Sequence, residues 1–428
     1  MLDLKYIREN FGAAQAMLRR RSAEAAASLD VIREMDERRR KLQVQVDELK
    51  NRRNVVSKEV GQLKVKGMDA TDKVAAMKSV GDQITTLDAQ LRQTEEELQG
   101  KLLFISNFPH SSVPDGSTAG QNREVRRHGE PSRFPFKPKP HWEIGSALGI
   151  LDFDRATKIS GSGFVCHLGT GARLQRGLIN FMLDLHTQKH GYTEVWPPYL
   201  ILEKAMIGTG QLPKFAEDMY ALRDDPLYLA PTAEVPLTNL YRDEILKPEE
   251  LSIRLCAYTP CFRREAGAAG KDTRGMIRVH QFDKVELVKI TKAEDSYDEL
   301  EKLVADAETV LRALELHYRV VLLCAGDMGF AAAKCYDIEV WCPGVGEYLE
   351  VSSCSNFESF QARRMNLRYK DSNGKNQMCH TINGSGTALA RLTIALLETH
   401  QQADGHIRIP SALRPYMGGM EEIGSSKG

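Results

Sequence analysis

Between residues 29 and 100 the apolar side chains keep a heptad beat. Met35, Leu42, Leu49, Val56 and Leu63 recur every seven residues, with Val46 and Val60 interleaved, and Met77, Val80, Ile84, Leu87, Leu91 and Leu98 form a second such run. No proline interrupts this span, and its glycines are confined to Gly61, Gly67, Gly81 and Gly100. VKGMDAT, at 65–71, breaks the beat with a glycine and ends in residues able to cap a new helix. The pattern predicts an antiparallel helical hairpin, roughly 50 Å long at about 1.5 Å per residue.

Past residue 105 the periodicity changes. SNFPHSSVPDGSTAGQNREV, at 106–125, reads as a Pro/Ser/Gly-rich linker, which divides the chain into 1–105, the linker 106–125 and a mixed helix-and-strand region 126–428. In that region RLQRGLINFMLDLHTQKH, at 173–190, has helical spacing, with Leu174, Leu178, Phe181 and Leu185 on one side. MIRVHQFDKVELV, at 276–288, is rich in β-branched and apolar residues and reads as a strand. Alternation then puts Arg278, His280, Phe282, Lys284 and Glu286 on one face and Val279, Val285 and Leu287 on the other. Phe282 is thus an aromatic among charges, about 13 Å from Glu286 at roughly 3.3 Å per residue. LCAYTPCFRRE, at 255–265, reads as the partner strand with Arg263 and Glu265 on one face, joined through AGAAGKDTRG, a long and mobile connection. A cation beside a carboxylate lets the arginine meet a phosphate while the glutamate holds that arginine or an exocyclic amine. On an arbitrary strand the same pair is a surface ion pair, and Phe282 an edge of the core.

Composition narrows the classes. A chain of 428 residues with 42% hydrophobic content has room for two or three domains and a large core. Lys plus Arg and Asp plus Glu both number 58, so contact with nucleic acid has to come from a local field. The first helix of the hairpin supplies one through RRRK at 38–41, Lys50, Arg52, Arg53, Lys58, Lys64 and Lys66, although each of these taken singly is a solvated coiled-coil charge. The eight cysteines, scattered from Cys166 to Cys379 without a CxxC pair, argue for a reducing compartment and against a zinc ribbon, so no zinc is expected. MLDLKYIREN opens the chain with charge, and neither a secretory signal nor a membrane-spanning run is legible, which favours a cytoplasmic protein without membrane contact.

CFRREAGAAGKDTRGMIRVHQFDKVE at 261–286 closely resembles motif 2 of class II aminoacyl-tRNA synthetases in the wording of the seryl-tRNA synthetases, and NGSGTALAR at 383–391 resembles their motif 3, a Gly-rich turn entering a helix with Arg391 near its start. That geometry aims a guanidinium and a helix N-terminus at polyphosphate. HGYTEVWPPYL at 190–200 resembles motif 1, with Pro198 as its proline, and YLAPTAEVPL at 228–237 resembles the serine-site TxE segment. YLEVSSCSN at 348–356 and HQQADGHIRIPSALRPYM at 400–417 are similar to the bacterial-type family, so the resemblance covers nearly the whole chain. It implies an α+β fold, a coiled-coil arm on a catalytic domain built on an antiparallel sheet flanked by helices.

The resemblance also implies ATP-dependent activation of L-serine to seryl-adenylate and transfer to the 3′ end of tRNA(Ser). Catalytic roles fall to Arg263, Glu265 and Arg391. ATP would meet Arg263, Arg264, Glu265, Phe282, Glu350, Val351, Ser352, Ser353 and Arg391. Arg263 would take the α-phosphate and Arg391 the γ-phosphate, while Glu265 and Phe282 hold adenine. Serine would meet Thr232, Ala233, Glu234, Arg263, Glu286, Asn383 and Ser385, with Glu286 on the ammonium group. Mg²⁺ would be held by Glu350 and Ser353; regular alternation puts Ser352 on the face of Glu350, so Ser353 requires a bulge. The basic arm would grip tRNA(Ser), and the helix at 173–190 with the strand that follows it would form a homodimer interface, although sequence alone would allow an internal core.

Other classes fit less well. GAAGK at 267–271 is prompted as a phosphate loop, but Glu265 stands where that motif needs its first glycine and Asp272 where it needs Ser or Thr. Neither HIGH nor KMSKS occurs, and HIRI at 406–409 is in the wrong context for a class I synthetase. The alternative kept is a synthetase-like paralogue with a non-tRNA acceptor, or a scaffold.

Overall fold

The computed structural model describes residues 1–267 and 274–424. The chain divides into two units, Leu2–Ile105 and, together with Met1, Ser106–Gly428. The first contains α1 (Leu4–Glu9), α2 (Phe11–Arg19), α3 (Ala23–Val65) and α4 (Thr71–Leu102). Ser22 starts α3, its Oγ accepting from the Ala25 N–H at 3.0 Å, and Asp69 Oδ1 accepts from the Thr71 N–H at 2.9 Å where α4 begins. The 43 residues of α3 give it a length of about 65 Å. Val46, Val60, Val80, Ile84, Leu91 and Leu98 are buried along the α3–α4 seam. Met35, Leu42, Leu49, Val56 and Leu63 are only half-buried, because a two-helix seam covers one side of each helix. Asp36 is buried against the Arg8 Nε at 2.7 Å and the Arg39 Nη2 at 3.0 Å; burial alone would raise its pKa, but the two guanidinium groups hold it below the ordinary value. Arg39 and Lys50, which lies 3.0 Å from Asp88, are therefore tied to acids of the hairpin, whereas Arg38, Arg40, Lys41, Arg52, Arg53, Lys58, Lys64 and Lys66 are exposed.

The second unit contains α5 (His141–Ala147), α6 (Phe153–Ser160), α7 (Thr170–Lys189), α8 (Glu203–Thr209), α9 (Glu234–Asn239), α10 (Ser296–Ala313), α11 (Phe360–Met365) and α12 (Leu389–Thr399). Among the described residues its main sheet has eight strands: β1 (Arg123–His128), β2 (Thr193–Glu194), β3 (Ile253–Phe262), β4 (Gln281–Thr291), β5 (Tyr318–Leu322), β6 (Lys334–Cys342), β7 (Glu347–Glu358) and β8 (His380–Ala388). They lie in the order β1-β5-β6-β7-β8-β4-β3-β2, antiparallel throughout except for the parallel β2–β3 pair. Leu300, Leu303, Val304, Ala307, Val310 and Leu311 give α10 an apolar stripe at helical spacing, and all are fully buried with α12 and the Leu174–Leu178–Phe181 side of α7 in one core. That side of α7 is thus internal. Among the described residues no helix is long and apolar enough to cross a membrane.

Four expectations change. β4 begins at Gln281, not at 276, and β3 ends at Phe262, ahead of Arg263. The connection at 266–275 is described only at its two ends, residues 268–273 lying outside the described residues. The Gly-rich stretch at 383–386 is no turn but the middle of β8, because its glycines serve close packing: a Cβ on Gly384 would meet Leu303 Cδ2 at 2.4 Å, and one on Gly386 would meet His186 Nε2 at 2.8 Å. The segment expected as a linker is laid down on the sheet, with Val113 buried beside Val321 and Leu323, and the Asn107 amide donating to Ala331 O and Phe357 O at 3.0 and 2.9 Å. Proline and serine content signals the absence of helix there, not the absence of packing.

The α10 stripe generates a direct test. Leu303→Ala, which removes a fully buried side chain facing the sheet, is expected to destabilise the second unit by about 2–5 kcal/mol, read as a lowered urea midpoint with an unchanged slope.

Candidate active site

A cavity of about 610 Å³ opens on the sheet where β4, β7 and β8 run side by side, roofed by the segments at 209–219 and 276–279. Register explains which side chains it collects. Ser385 and Ala257 flank Glu286 on neighbouring strands, Cys261 faces Phe282, and Ser355 faces Asn383. Phe282, Lys284 and Glu286 all line the cavity, as alternation along β4 requires. Opposite Ile338 lies Ser352 and opposite Glu339 lies Glu350, so Val351 has no partner and forms a bulge. Because of it Glu350 and Ser353 both line the cavity, whereas Ser352 is buried with its Oγ donating to Ser385 O at 2.6 Å.

One end of the cavity is cationic. The Arg263 guanidinium lies 5.2 Å from the centre of the Phe282 ring, and its Nε donates to Pro231 O at 3.3 Å. Glu265, in a left-handed conformation at φ 51°, pairs with Arg278 and not with Arg263. Arg391, on the first turn of α12, donates from Nε to Ile277 O at 3.1 Å and from Nη1 to Glu350 O at 2.8 Å. Behind this wall a buried carboxylate ties four segments together. Glu398 accepts from the His141 backbone N–H and Nδ1, both at 2.9 Å, and from the Gly344 and Val345 N–H groups at 2.8 and 3.0 Å. His141 Nε2 in turn accepts from the Met276 N–H at 3.0 Å, so Nδ1 carries the proton. Gly275 has φ 66° and lies so close that a Cβ would stand 2.3 Å from that Nε2; only glycine allows the approach.

The other end is acidic. Lys284 Nζ lies 2.7 Å from Glu286 Oε2 and donates to Thr232 Oγ1 at 2.8 Å, while Ser385 Oγ donates to Glu286 at 3.2 Å. Glu234, only 7% exposed, has its pKa pushed up to about 7, first by burial and second by Glu286, against the pull of the Gln361 amide, Lys284 and Arg263.

Of the residues singled out from sequence, Thr232, Glu234, Arg263, Glu265, Phe282, Glu286, Glu350, Val351, Ser353, Asn383, Ser385 and Arg391 line this one cavity. Three do not. Ala233 is fully buried in a cluster with Leu237 and Leu255, Arg264 is exposed with its N–H on Asp218 O, and Ser352 faces away as described. Lys284 and Arg278 had been placed on the site face with no role, and Gln361, Thr209 and Gln211 around Glu234 had no sequence signal at all. They come from separate stretches brought together by α8 and α11. Among the described residues no group of three or more His, Cys, Asp or Glu side chains stands ready to hold a metal.

Comparison with known proteins gives a consistent picture. Residues 219–400 match a family described as tRNA synthetase class II core domain (G, H, P, S and T), and residues 1–109 match the seryl-tRNA synthetase N-terminal domain. The serine–tRNA ligase of Pelotomaculum thermopropionicum is 55% identical over 424 residues, covering 99% of this chain and 100% of that protein. That of Caldicellulosiruptor bescii is 58% identical over 418 residues, covering 98% and 99%. The crystal structure of seryl-tRNA synthetase from Pyrococcus horikoshii complexed with ATP superposes with a TM-score of 0.94 at 36% identity over 100% of both chains.

The acidic corner predicts a pH dependence of stability. Glu234 binds its proton more tightly folded, near pH 7, than unfolded, near its ordinary 4.5, so stability falls as pH rises through that window and the penalty is complete above it. Replacing Glu234 by Gln should remove a penalty growing to about 3 kcal/mol between those two pH values. Urea unfolding of both proteins at each end of the window checks it, a constant difference being the contrary result.

Proposed function

The chain belongs to the seryl-tRNA synthetase family, enzymes that activate serine with ATP and charge tRNA(Ser), and we propose that the cavity described above is where it performs both steps. The carrying observation is that twelve side chains from motifs scattered between Thr232 and Arg391 meet in one cavity with a cationic and an acidic end. ATP lies along the cationic end. Its adenine stacks on Phe282 and meets Glu265, its α-phosphate meets Arg263, and its γ-phosphate meets Arg391 at the start of α12. Serine lies at the acidic end, its ammonium group on Glu286 and its hydroxyl among Thr232, Glu234, Asn383 and Ser385.

The chemistry needs no enzyme nucleophile. The serine carboxylate attacks the α-phosphorus in line and pyrophosphate leaves, so the protein's contribution is positioning and compensation of charge. Arg263, at the cationic end yet near enough for its charge to act on Glu234, is placed to meet both the α-phosphate and the attacking carboxylate. Glu286 already carries Lys284, so the incoming ammonium group shares that carboxylate with a resident cation. In the second step the ribose 3′ hydroxyl of the terminal adenosine attacks the seryl carbonyl and AMP leaves.

Mg²⁺ fits the donors present. Glu350, half exposed, and Ser353 both line the cavity across the bulge and would hold the ion, oxygen donors being what a hard cation prefers. When bound, the ion neutralises charge on the polyphosphate. The exposed arginines and lysines of α3 form the tRNA-gripping face of the arm, as unit 1–105 outside the catalytic region 126–428. Trp196 is 71% exposed and Leu200 and Leu202 nearly half, beside Pro198, a surface suited to a homodimer contact. The alternative of a paralogue with another acceptor is set aside, since the relatives matching from end to end, arm included, are serine–tRNA ligases.

Two experiments test the residue roles. Glu286→Ala is expected to abolish serine-dependent ATP–pyrophosphate exchange while leaving ATP binding by calorimetry within about twofold, since no part of ATP reaches the acidic end; unchanged exchange would sink the pocket assignment. Deleting residues 30–98 is expected to spare adenylate formation and lose transfer to tRNA, an outcome separated from general damage by running exchange and charging on the same preparation.

A further inference from the structure

We propose that Gln361, which touches neither substrate, is a positioning residue for serine selection: its side-chain amide fixes the Glu234 carboxyl as an acceptor for the substrate hydroxyl. The proposal rests on the reading of Glu234 as part of the serine pocket.

Gln361 sits on α11, 127 residues along the chain from Glu234, and is 1% exposed. Its Nε2 donates to Glu234 Oε1 at 2.6 Å and to Thr209 O at 3.1 Å, and its Oε1 accepts from Thr381 Oγ1 at 2.7 Å. The amide has one workable orientation. Turned over, it would set its oxygen against the Thr209 carbonyl, which has no proton to give, and would lose its donation to Glu234. The second Glu234 oxygen receives the Gln211 amide at 3.4 Å, and Gln211 is itself held by the Thr209 hydroxyl. Both oxygens of Glu234 are therefore aimed by amides that are locked from behind. The charged groups facing it are Glu286, Lys284 and Arg263.

Rigidity here bears on selectivity. An amino acid without the hydroxyl leaves a buried acceptor unpaired, and that penalty is full only if the acceptor cannot turn to another donor. A locked Glu234 cannot. Freed from Gln361, it can swing toward Lys284, a buried ammonium that already acts on it, and the cost of binding alanine drops.

The test is ATP–pyrophosphate exchange with serine and with alanine over a range of pH, on the full chain, for Gln361→Leu, Gln361→Glu and Glu234→Ala, with thermal unfolding of each. For Gln361→Leu the expected result is a KM for serine raised roughly 10- to 100-fold, an unchanged KM for ATP and a smaller serine-to-alanine ratio. Its serine defect should shrink as pH rises, because Glu234 without its amide donor ionises later. Gln361→Glu should behave oppositely, close to the parent at acid pH, where the protonated side chain still donates, and failing as it ionises. If Gln361→Leu keeps the parent's serine KM and ratio while Glu234→Ala loses serine, the role of Gln361 is overturned and the pocket stands. Equal loss for serine and ATP with no pH difference between the two Gln361 variants reduces it to structure and also overturns the proposal. If Glu234→Ala is itself unaffected, the pocket reading fails and the proposal with it.

Discussion

Glu234 and Glu286 share one buried corner of the cavity, and Lys284 is the cation set between them. Two carboxylates taken out of water cost several kcal/mol per ion unless charge and hydrogen bonds compensate them. Much of the surrounding architecture is arranged around that cost. β3, β4 and β8 must pair in register for Ser385 to reach Glu286, the Thr232–Glu234 turn must bring its hydroxyl to Lys284, and α11 must dock for Gln361 to reach Glu234. At Glu234 burial and Glu286 still outweigh Lys284 and Arg263, so the corner favours a further cation, the condition a small ammonium-bearing substrate satisfies.

The cationic end is built by a different means. Its arginines are held by backbone carbonyls: Arg391 by Ile277 and Glu350, and Arg263 by Pro231. A carbonyl orients a guanidinium without neutralising it, so the charge of Arg263 stays available to an anion, while Arg391 also lies 3.5 Å from the Glu350 carboxylate. The segment that carries Ile277 is fixed in turn by Met276 on His141 and His141 on Glu398. A fully satisfied carboxylate in the core thus sets the position of the buried segment that lines the cavity.

Charge is also divided between the two units. The whole chain is neutral, yet the exposed face of α3 carries a row of arginines and lysines whose field is local, while two members of the row, Arg39 and Lys50, are consumed by acids of the hairpin itself. Counting basic residues in the sequence overstates the face by those two.

The hairpin was legible because its heptad beat is a one-dimensional signal: residues seven apart share a side whatever else the chain does. The site face of β4 was legible for the same reason, Phe282, Lys284 and Glu286 following from a period of two, and the wording of the motifs named most of the cavity wall. What the sequence left open was every feature set by a neighbouring strand or helix. Glu350 and Ser353 share a side only because β6 pairs with β7 through a bulge at Val351, and the glycines of β8 read as a turn until Leu303 and His186 are seen pressing on them. Arg264 and Ala233 stand beside true cavity residues in the chain but point elsewhere, since adjacency along a strand or turn alternates direction. Gln361 and Gln211 carry no pattern of their own; they matter because packing sets them against one buried carboxylate, and burial is a property of the assembled core that local sequence does not encode.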